Sequence, residues 1–293
     1  MISKTPETAK APEMSKNPDG ATADPIEAVY PLTPVQEGML YHTVAEPGSG
    51  VYVEQLGFRA GAEFRSEAFR RAVEAVMGRH PILRTGFSWE RREEPLQVVL
   101  RECRLPVKQQ DWSERSEQEV SESFEKLLAA DRRRGFDLSK PPALRLRILR
   151  LSGDGYLCLL SYHHILLDAW SLALVFGEIL SHYRQGKGAP ADSLPPVRPF
   201  SDFVHWLQER DPERERAFWR QHLADLDGPT RLPLAGGEVR PEQAYGDLQG
   251  SLSAESTAAL NDLATAHGLT QAVVAQAAWA LVLAAFSGSD DLL

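Results

Sequence analysis

Two histidines stand side by side in this sequence, His163 and His164, and Asp168 follows them in the segment Ser161-Tyr162-His163-His164-Ile165-Leu166-Leu167-Asp168-Ala169-Trp170-Ser171. Imidazole is the side chain whose ordinary pKa lies nearest neutrality, so either ring could take a proton from an attacking group or steady a charged intermediate. The preceding run, Tyr156 to Tyr162, is almost unbroken in its apolar character and of strand length, as expected of a central strand covered on both faces. Successive residues of a strand point to opposite faces, so the two histidines cannot share one environment: one is expected in the core and the other in a cleft. The same divergence argues against a metal held by His163, His164 and Asp168, and no HExxH pair is present.

Asp168 sits where a helix beginning there, with Leu172, Val175, Phe176 and Ile179 on its apolar face, needs an acceptor for its free N–H groups. Capping, with Ser171 nearby, is one role open to it. The other follows if it is buried, since it then needs a cation. Arg79 and Arg84, in Arg79-His80-Pro81-Ile82-Leu83-Arg84-Thr85-Gly86-Phe87, are the candidates. Such a tie would join two distant pieces of chain and hold the loop that carries the imidazole.

The elements that position these residues read as a mixture of α and β. Residues 1–28 carry Pro6, Pro12, Pro18 and Pro25, charges of both signs and no aromatic residue, so they are expected to form a flexible leader or linker. Thr33-Pro34 opens a helix with Pro at its first position. Val51 to Arg59 reads as a strand. Ser66 is expected to cap a helix whose Phe69, Ala72, Val73, Val76 and Met77 fall on one face. Pro81 stops it, and Leu83–Trp89 with Leu96, Val98 and Leu100 forms a hairpin across Glu94-Pro95. A polar helical segment from Ser113 to Arg134 leads to a strand in which Leu144, Leu146 and Ile148 alternate with Arg145 and Arg147, so one face should be wet. Pro190, Pro195, Pro196 and Pro199 mark a linker. A helix with Phe203, Trp206 and Leu207 then runs toward Phe218 and Trp219, and a second lobe begins beyond it. There Asp247–Ser253 reads as a strand, Ser256–His267 as a helix, and Thr270 caps a long Ala-rich helix ended by Gly288.

The chain has 293 residues, 43% of them apolar, and a formal charge of -9, which suits a packed core and disfavours nucleic acid and anionic membrane surfaces as partners. Its two cysteines, Cys103 and Cys158, have no ligand-like spacing, and no signal peptide or long apolar span is visible, so a cytoplasmic protein is expected. Carrier-type serine, GxSxG, P-loop and GxGxxG motifs are absent.

His163-His164-x-x-x-Asp168 resembles the HHxxxDG active-site motif of the condensation domains of nonribosomal peptide synthetases, which share the chloramphenicol-acetyltransferase-like fold. Tyr30-Pro31-Leu32-Thr33-Pro34-Val35-Gln36-Glu37-Gly38-Met39-Leu40-Tyr41-His42 resembles that family's first core motif. Arg79-His80 through Arg84-Thr85 resembles its second, and Phe136-Asp137-Leu138 with Pro142-Ala143-Leu144-Arg145 is similar to the approach to the catalytic strand. The resemblance runs from about Val29 to Leu293. It implies an α+β, two-lobe architecture in which residues 29–197 form the N-terminal lobe and residues 198–293 a connecting helix and the start of a truncated C-terminal lobe. It also implies amide-forming acyl transfer: the amine of an acceptor aminoacyl thioester attacks a donor peptidyl thioester. His164 is the catalytic residue in this reading, and His163, Asp168, Ala169, Arg79 and Arg84 support it. No cofactor or metal is bound directly. Both substrates ride on the phosphopantetheine arms of donor and acceptor carrier proteins, alongside neighbouring synthetase domains.

Ala169 departs from the motif, which has Gly there; a methyl group matters only if the position needs φ > 0 or close backbone approach. The wording Thr33-Pro34-Val35-Gln36-Glu37-Gly38-Met39 is similar to domains that accept a D-configured donor. Two competing readings stay open: a related acyl-CoA-type acyltransferase, and a noncatalytic half-domain that docks carrier proteins.

Overall fold

The computed structural model describes residues 24–188, 194–226, 228–230, 232 and 250–292. In chain order the elements are β1 (Ile26–Pro31), α1 (Pro34–Ala45), β2 (Val53–Ala60), α2 (Ser66–Arg79), a 3-10 turn (Pro81–Arg84), β3 (Thr85–Ser88), β4 (Leu96–Leu100), β5 (Val107–Asp111), α3 (Glu117–Arg134), β6 (Leu144–Arg150), β7 (Tyr156–His163), α4 (Ala169–Gln185), α5 (Phe200–Gln208), α6 (Pro212–His222), α7 (Ala254–Ala266) and α8 (Gln271–Ser287). The strands form a three-stranded sheet, β1-β4-β3, and a four-stranded one, β2-β7-β6-β5, in which only β5 and β6 run parallel. The mixed α+β class expected from the sequence is the one observed.

The apolar run Tyr156–Tyr162 lies in the middle of the larger sheet, between β2 and β6, and both of its faces are covered. Cys158, Leu160 and Tyr162 pack with Phe69, Val73, Val76 and Met77 of α2 and with Val175 and Ile179 of α4. Leu157 faces the other way and joins Trp112, Leu149 and Leu151 beneath Val120 of α3. Full burial of an apolar side chain of this size stabilises the fold by roughly 1.5–3 kcal/mol, so these two layers hold β7 and the residues at its end firmly in place.

Several local expectations are corrected. β1 begins at Ile26, inside the segment read as a leader, and owes its place to antiparallel pairing with β4, a long-range contact that local composition does not announce. Residues 1–23 lie outside the described residues. Ser66 is the first helical residue of α2, and the cap position is Arg65, which makes no side-chain capping bond. α3 begins at Glu117, four residues after Ser113, and is capped by Ser116 in a reciprocal box with Glu119. Leu83 and Arg84 belong to the 3-10 turn that Pro81 opens, which shortens the strand after it. β5 escapes sequence reading because Val-Lys-Gln-Gln-Asp has no apolar alternation; it survives as an edge strand on β6.

The supposed wet face of β6 is covered instead. Arg145 is buried and bonds Asp131, on the underside of α3, at 2.8 Å. The expected continuous helix from Phe203 to Trp219 is two helices, because Asp211 caps a new one at Pro212. No strand is formed by residues 250–253, while positions 247–249 and Pro190 lie outside the described residues.

Two compact units divide the chain at Arg210. The first holds both sheets, with Val204 and Phe200 of α5 against Tyr30 and Val99 of the smaller one. The second holds α6, α7 and α8; α7 and α8 meet at a bend of 104°, and no single described helix is long and apolar enough to cross a membrane.

Candidate active site

β7 ends at His163 and α4 starts at Ala169, so the loop between them presents His164 to Asp168. The two histidines diverge as strand geometry requires. His163 is fully buried, at 0% exposure, whereas His164 is partly exposed and lines a cleft of about 560 Å³. Val35, Met39, Leu174 and Phe203 give that cleft apolar walls, and Asp168 lies on it as well.

His163 is locked. Its Nδ1 accepts from the Ile165 N–H at 3.1 Å, so Nε2 carries the proton and donates to Thr43 Oγ1 at 3.0 Å, whose own hydroxyl donates to the Met39 carbonyl at 2.7 Å. This chain of bonds ties α1 to the loop. Burial, with a smaller contribution from the charge of His164, pushes the pKa of His163 down to about 4, so the ring stays neutral. In the unfolded chain its pKa returns to about 6.5. The depressed native pKa therefore favours the fold fully above that value, and the contribution is lost as pH falls from about 6.5 toward 4, amounting to roughly 3 kcal/mol. Urea midpoints measured between pH 7 and pH 4 should fall accordingly, and a His163→Gln variant should flatten the dependence; an unchanged slope would count against the neutral buried ring.

Gln36 adds a second tie. It completes the capping box of α1 with Thr33, and its Nε2 donates to the Ile165 carbonyl at 3.2 Å and to Gln97 Oε1 at 3.1 Å. Gln97 returns a bond to Gln36 Oε1 at 2.9 Å and holds the Pro31 carbonyl at 3.0 Å. The sequence places Gln36 in a motif without giving it a role, and it does not point to Thr43 or Gln97 at all. The Thr33-x-x-Gln36 spacing is the available signal for the cap, but nothing local points across the chain to Ile165.

His164 donates its backbone N–H to the Tyr52 carbonyl at 2.8 Å, and its ring lies parallel to that of Tyr52, with centroids 6.5 Å apart and planes 5° off parallel. Its Nδ1 is buried and has no hydrogen-bond partner, which leaves Nε2 as the ring nitrogen available to a substrate. No cysteine competes for the chemistry, since burial pushes the Cys103 thiol up to about 11 and that of Cys158 to about 12. Among the described residues no group of three or more His, Cys, Asp or Glu could hold a metal ion.

Asp168 resolves in favour of the cap. It is exposed, it stands at the N-cap of α4, and its Oδ1 accepts from the Ser171 N–H at 2.7 Å. Hydrogen bonds from Ser171 hold its carboxyl below the usual range, and the charge of His164 pulls the same way. The expected tie to Arg79 or Arg84 is not formed. Arg79 bonds Glu178 on α4 at 2.9 Å, and the same carboxylate oxygen takes His80 Nε2 at 2.7 Å, so this pair fastens α2 to α4. Arg84 is buried and bridges Glu27 of β1 at 2.8 Å, the Met77 carbonyl at 3.0 Å and the Leu100 carbonyl. The physical reason is that a surface carboxylate already holding a helix N-terminus needs no cation. Asp168→Ala should accordingly cost only about 1 kcal/mol in chemical denaturation, against the ~3–5 kcal/mol that stranding a buried arginine would cost.

Ala169 opens α4 with φ outside the left-handed region, so its position requires no glycine.

The family model that matches this chain, over residues 26–293, is that of the condensation domain. The chain belongs to the condensation-domain family. This condensation domain is 38% identical over 270 residues to a linear gramicidin synthase of Brevibacillus parabrevis, covering 92% of the chain and 5% of that protein. Its fold is shared with SgcC5 of Streptomyces globisporus (TM-score 0.71, 21% identity, 90% of this chain and 61% of that one). It is shared equally with the first condensation domain of the calcium-dependent antibiotic synthetase (TM-score 0.70, 20% identity, 90% and 61%). These likenesses establish the chloramphenicol-acetyltransferase-like fold of the condensation domain. Its chain spans a small part of its curated relative and about three fifths of the two solved neighbours.

Proposed function

We propose that this condensation domain makes an amide bond within a peptide synthetase, joining a donor peptidyl thioester to the amine of an acceptor aminoacyl thioester, each carried on the phosphopantetheine arm of a carrier protein. One observation carries the reading: of two adjacent histidines, one is locked neutral in the core while the other offers a free ring nitrogen to an open cleft. The synthase relative supports the setting in a multidomain assembly.

In this reading the acceptor nitrogen attacks the donor carbonyl, the C–N bond forms, and the C–S bond breaks. His164 Nε2 holds the amine and receives or steadies its proton, which leaves with the departing pantetheine thiolate, so charge and atoms balance. Holding two thioesters in line within the cleft supplies much of the remaining acceleration. Asp168 shapes the start of α4, and His163, Arg79 and Arg84 keep the scaffold rigid. Residues 26–210 serve as the lobe carrying the site and the residues that follow as the start of the other lobe; the donor is D-configured and the setting is the cytoplasm. Ala169, whose departure from the motif is one motive for the docking-only alternative, sits in ordinary helical geometry.

The test uses the full-length polypeptide that carries this sequence, mixed with donor and acceptor carrier proteins loaded with their thioesters and read by intact-protein mass spectrometry. The amide is expected on the acceptor carrier. Acylation of small alcohols from coenzyme A thioesters at a comparable rate would overturn the reading in favour of the acyl-CoA class, and carrier binding with no amide would overturn it in favour of a docking module.

A further inference from the structure

Catalytic imidazoles are commonly oriented by a hydrogen bond to the ring nitrogen that does not react. His164 lacks one: its Nδ1 is buried without a partner, and the nearby carboxylate of Asp168 is committed to Ser171. Some other group has to fix the ring, and the ring of Tyr52 lies parallel to it.

Tyr52 adopts φ of 61°, a left-handed conformation that bulky residues rarely take. Among the described residues other than glycine, only Arg91 and Asp154 share that sign of φ. Such backbone persists where its surroundings over-determine it, and it clusters at functional sites. Here the surroundings are visible. β2 begins at Val53, which pairs with His163, so a straight continuation would have set Tyr52 opposite His164 in an ordinary ladder. The Tyr52 carbonyl does accept the ladder bond from the His164 N–H, the left-handed backbone ends the pairing there, and the phenol ring lies parallel to the imidazole. The same ring reaches His163 at 6.0 Å and His42 of α1 at 6.4 Å, between centroids. One residue thus touches the locked histidine, the free one and the helix that locks them.

We infer that Tyr52 is a positioning residue: its carbonyl fixes the backbone of His164 and its aromatic face fixes the plane of the imidazole, in place of the missing hydrogen bond to Nδ1. The inference rests on the reading of His164 as the group that meets the substrate, and it concerns the ring of Tyr52, not its hydroxyl.

The experiment compares Tyr52→Gly, Tyr52→Leu and Tyr52→Phe by two readouts, the kcat and KM of amide formation by the full-length polypeptide and the NMR shifts of the His164 ring protons in labelled protein. Glycine accepts the left-handed backbone without a Cβ, so Tyr52→Gly removes the ring while keeping the fold even if Tyr52→Leu does not. Tyr52→Gly is expected to lower kcat by about 10- to 100-fold with KM within about twofold, as a small misplacement of a reacting group does. The His164 ring signals should move as the ring current disappears, and Tyr52→Phe should restore both rate and shifts. Unmoved ring signals in Tyr52→Gly would overturn the inference whatever the activity. A fully active Tyr52→Gly alongside an inactive His164→Ala would overturn it while leaving the functional reading intact, and a fully active His164→Ala would overturn that reading and the positioning role with it.

Discussion

His164→Ala is expected to lower the rate of amide formation by about 10²–10⁴-fold, the usual contribution of a positioned acid–base group. At 1.36 kcal/mol per factor of ten, that corresponds to roughly 3–5 kcal/mol of barrier. On the proposed function the loss should fall on kcat and leave KM nearly unchanged, because the cleft walls Val35, Met39, Leu174 and Phe203 are untouched. Some rate should survive, since two thioesters held in line still react faster than in solution. Stability should change little, as the side chain is partly exposed and its Nδ1 has no bond to lose. The neighbouring substitution supplies the contrast. His163→Ala removes a buried ring bonded to Thr43 and Ile165, so it should unfold more readily while its folded fraction keeps turning over. Single-turnover assays of both variants, paired with urea melts, separate the two roles. If His164→Ala stays within about threefold of the parent rate, the imidazole is not the working group.

The difference in burial between these histidines was legible because it depends only on a local rule. β7 is a covered strand whose sequence is nearly all apolar, and the alternation of side chains along it forces adjacent residues apart. The α2 core face, Pro34 at the start of α1 and the caps at Asp168 and Thr270 were legible for the same reason, since each is set by spacing within one element. What escaped depends on pairing between distant segments. Arg79 and Arg84 each found a carboxylate, but among 41 acidic residues the sequence does not say which; Glu178 and Glu27 win because α4 and β1 bring them close. Tyr52 did not stand out in the sequence because its left-handed backbone belongs to the junction of β2 with the loop after β7, not to tyrosine. The arginines of β6 were misplaced into solvent because alternation shows two faces without showing what covers the second.

What covers it is Asp131, and replacing that residue should be strongly destabilising. Its carboxylate is buried under α3 and takes hydrogen bonds from Arg145 Nε at 2.8 Å, Ser161 Oγ at 2.7 Å and Gln55 Nε2 at 3.2 Å, with Arg147 Nε 3.5 Å away. Arg145 in turn donates to the carbonyls of Gly135 and Asp131 and stacks on Phe136. Burial by itself raises the carboxyl pKa, but the bonds from Arg145, Ser161 and Gln55 outweigh it and hold the group below the usual carboxylate range. A depressed native pKa means the network stabilises the fold above the unfolded carboxylate range and loses that contribution as pH falls through the native value. Asp131→Ala leaves the Arg145 guanidinium buried without its counter-charge, and the expected cost is about 3–5 kcal/mol by urea denaturation at pH 7. The double change Asp131→Leu with Arg145→Met removes both charges and should recover much of that loss, because a paired buried charge gains little over well-packed apolar groups. Ser161 lies on the same strand as His163, so this one carboxylate couples the docking of α3 to the strand that ends at the candidate site. A loss below about 1 kcal/mol in Asp131→Ala, or a double variant no better than the single one, would show that α3 is held by its apolar contacts with Leu149 and Leu157 alone.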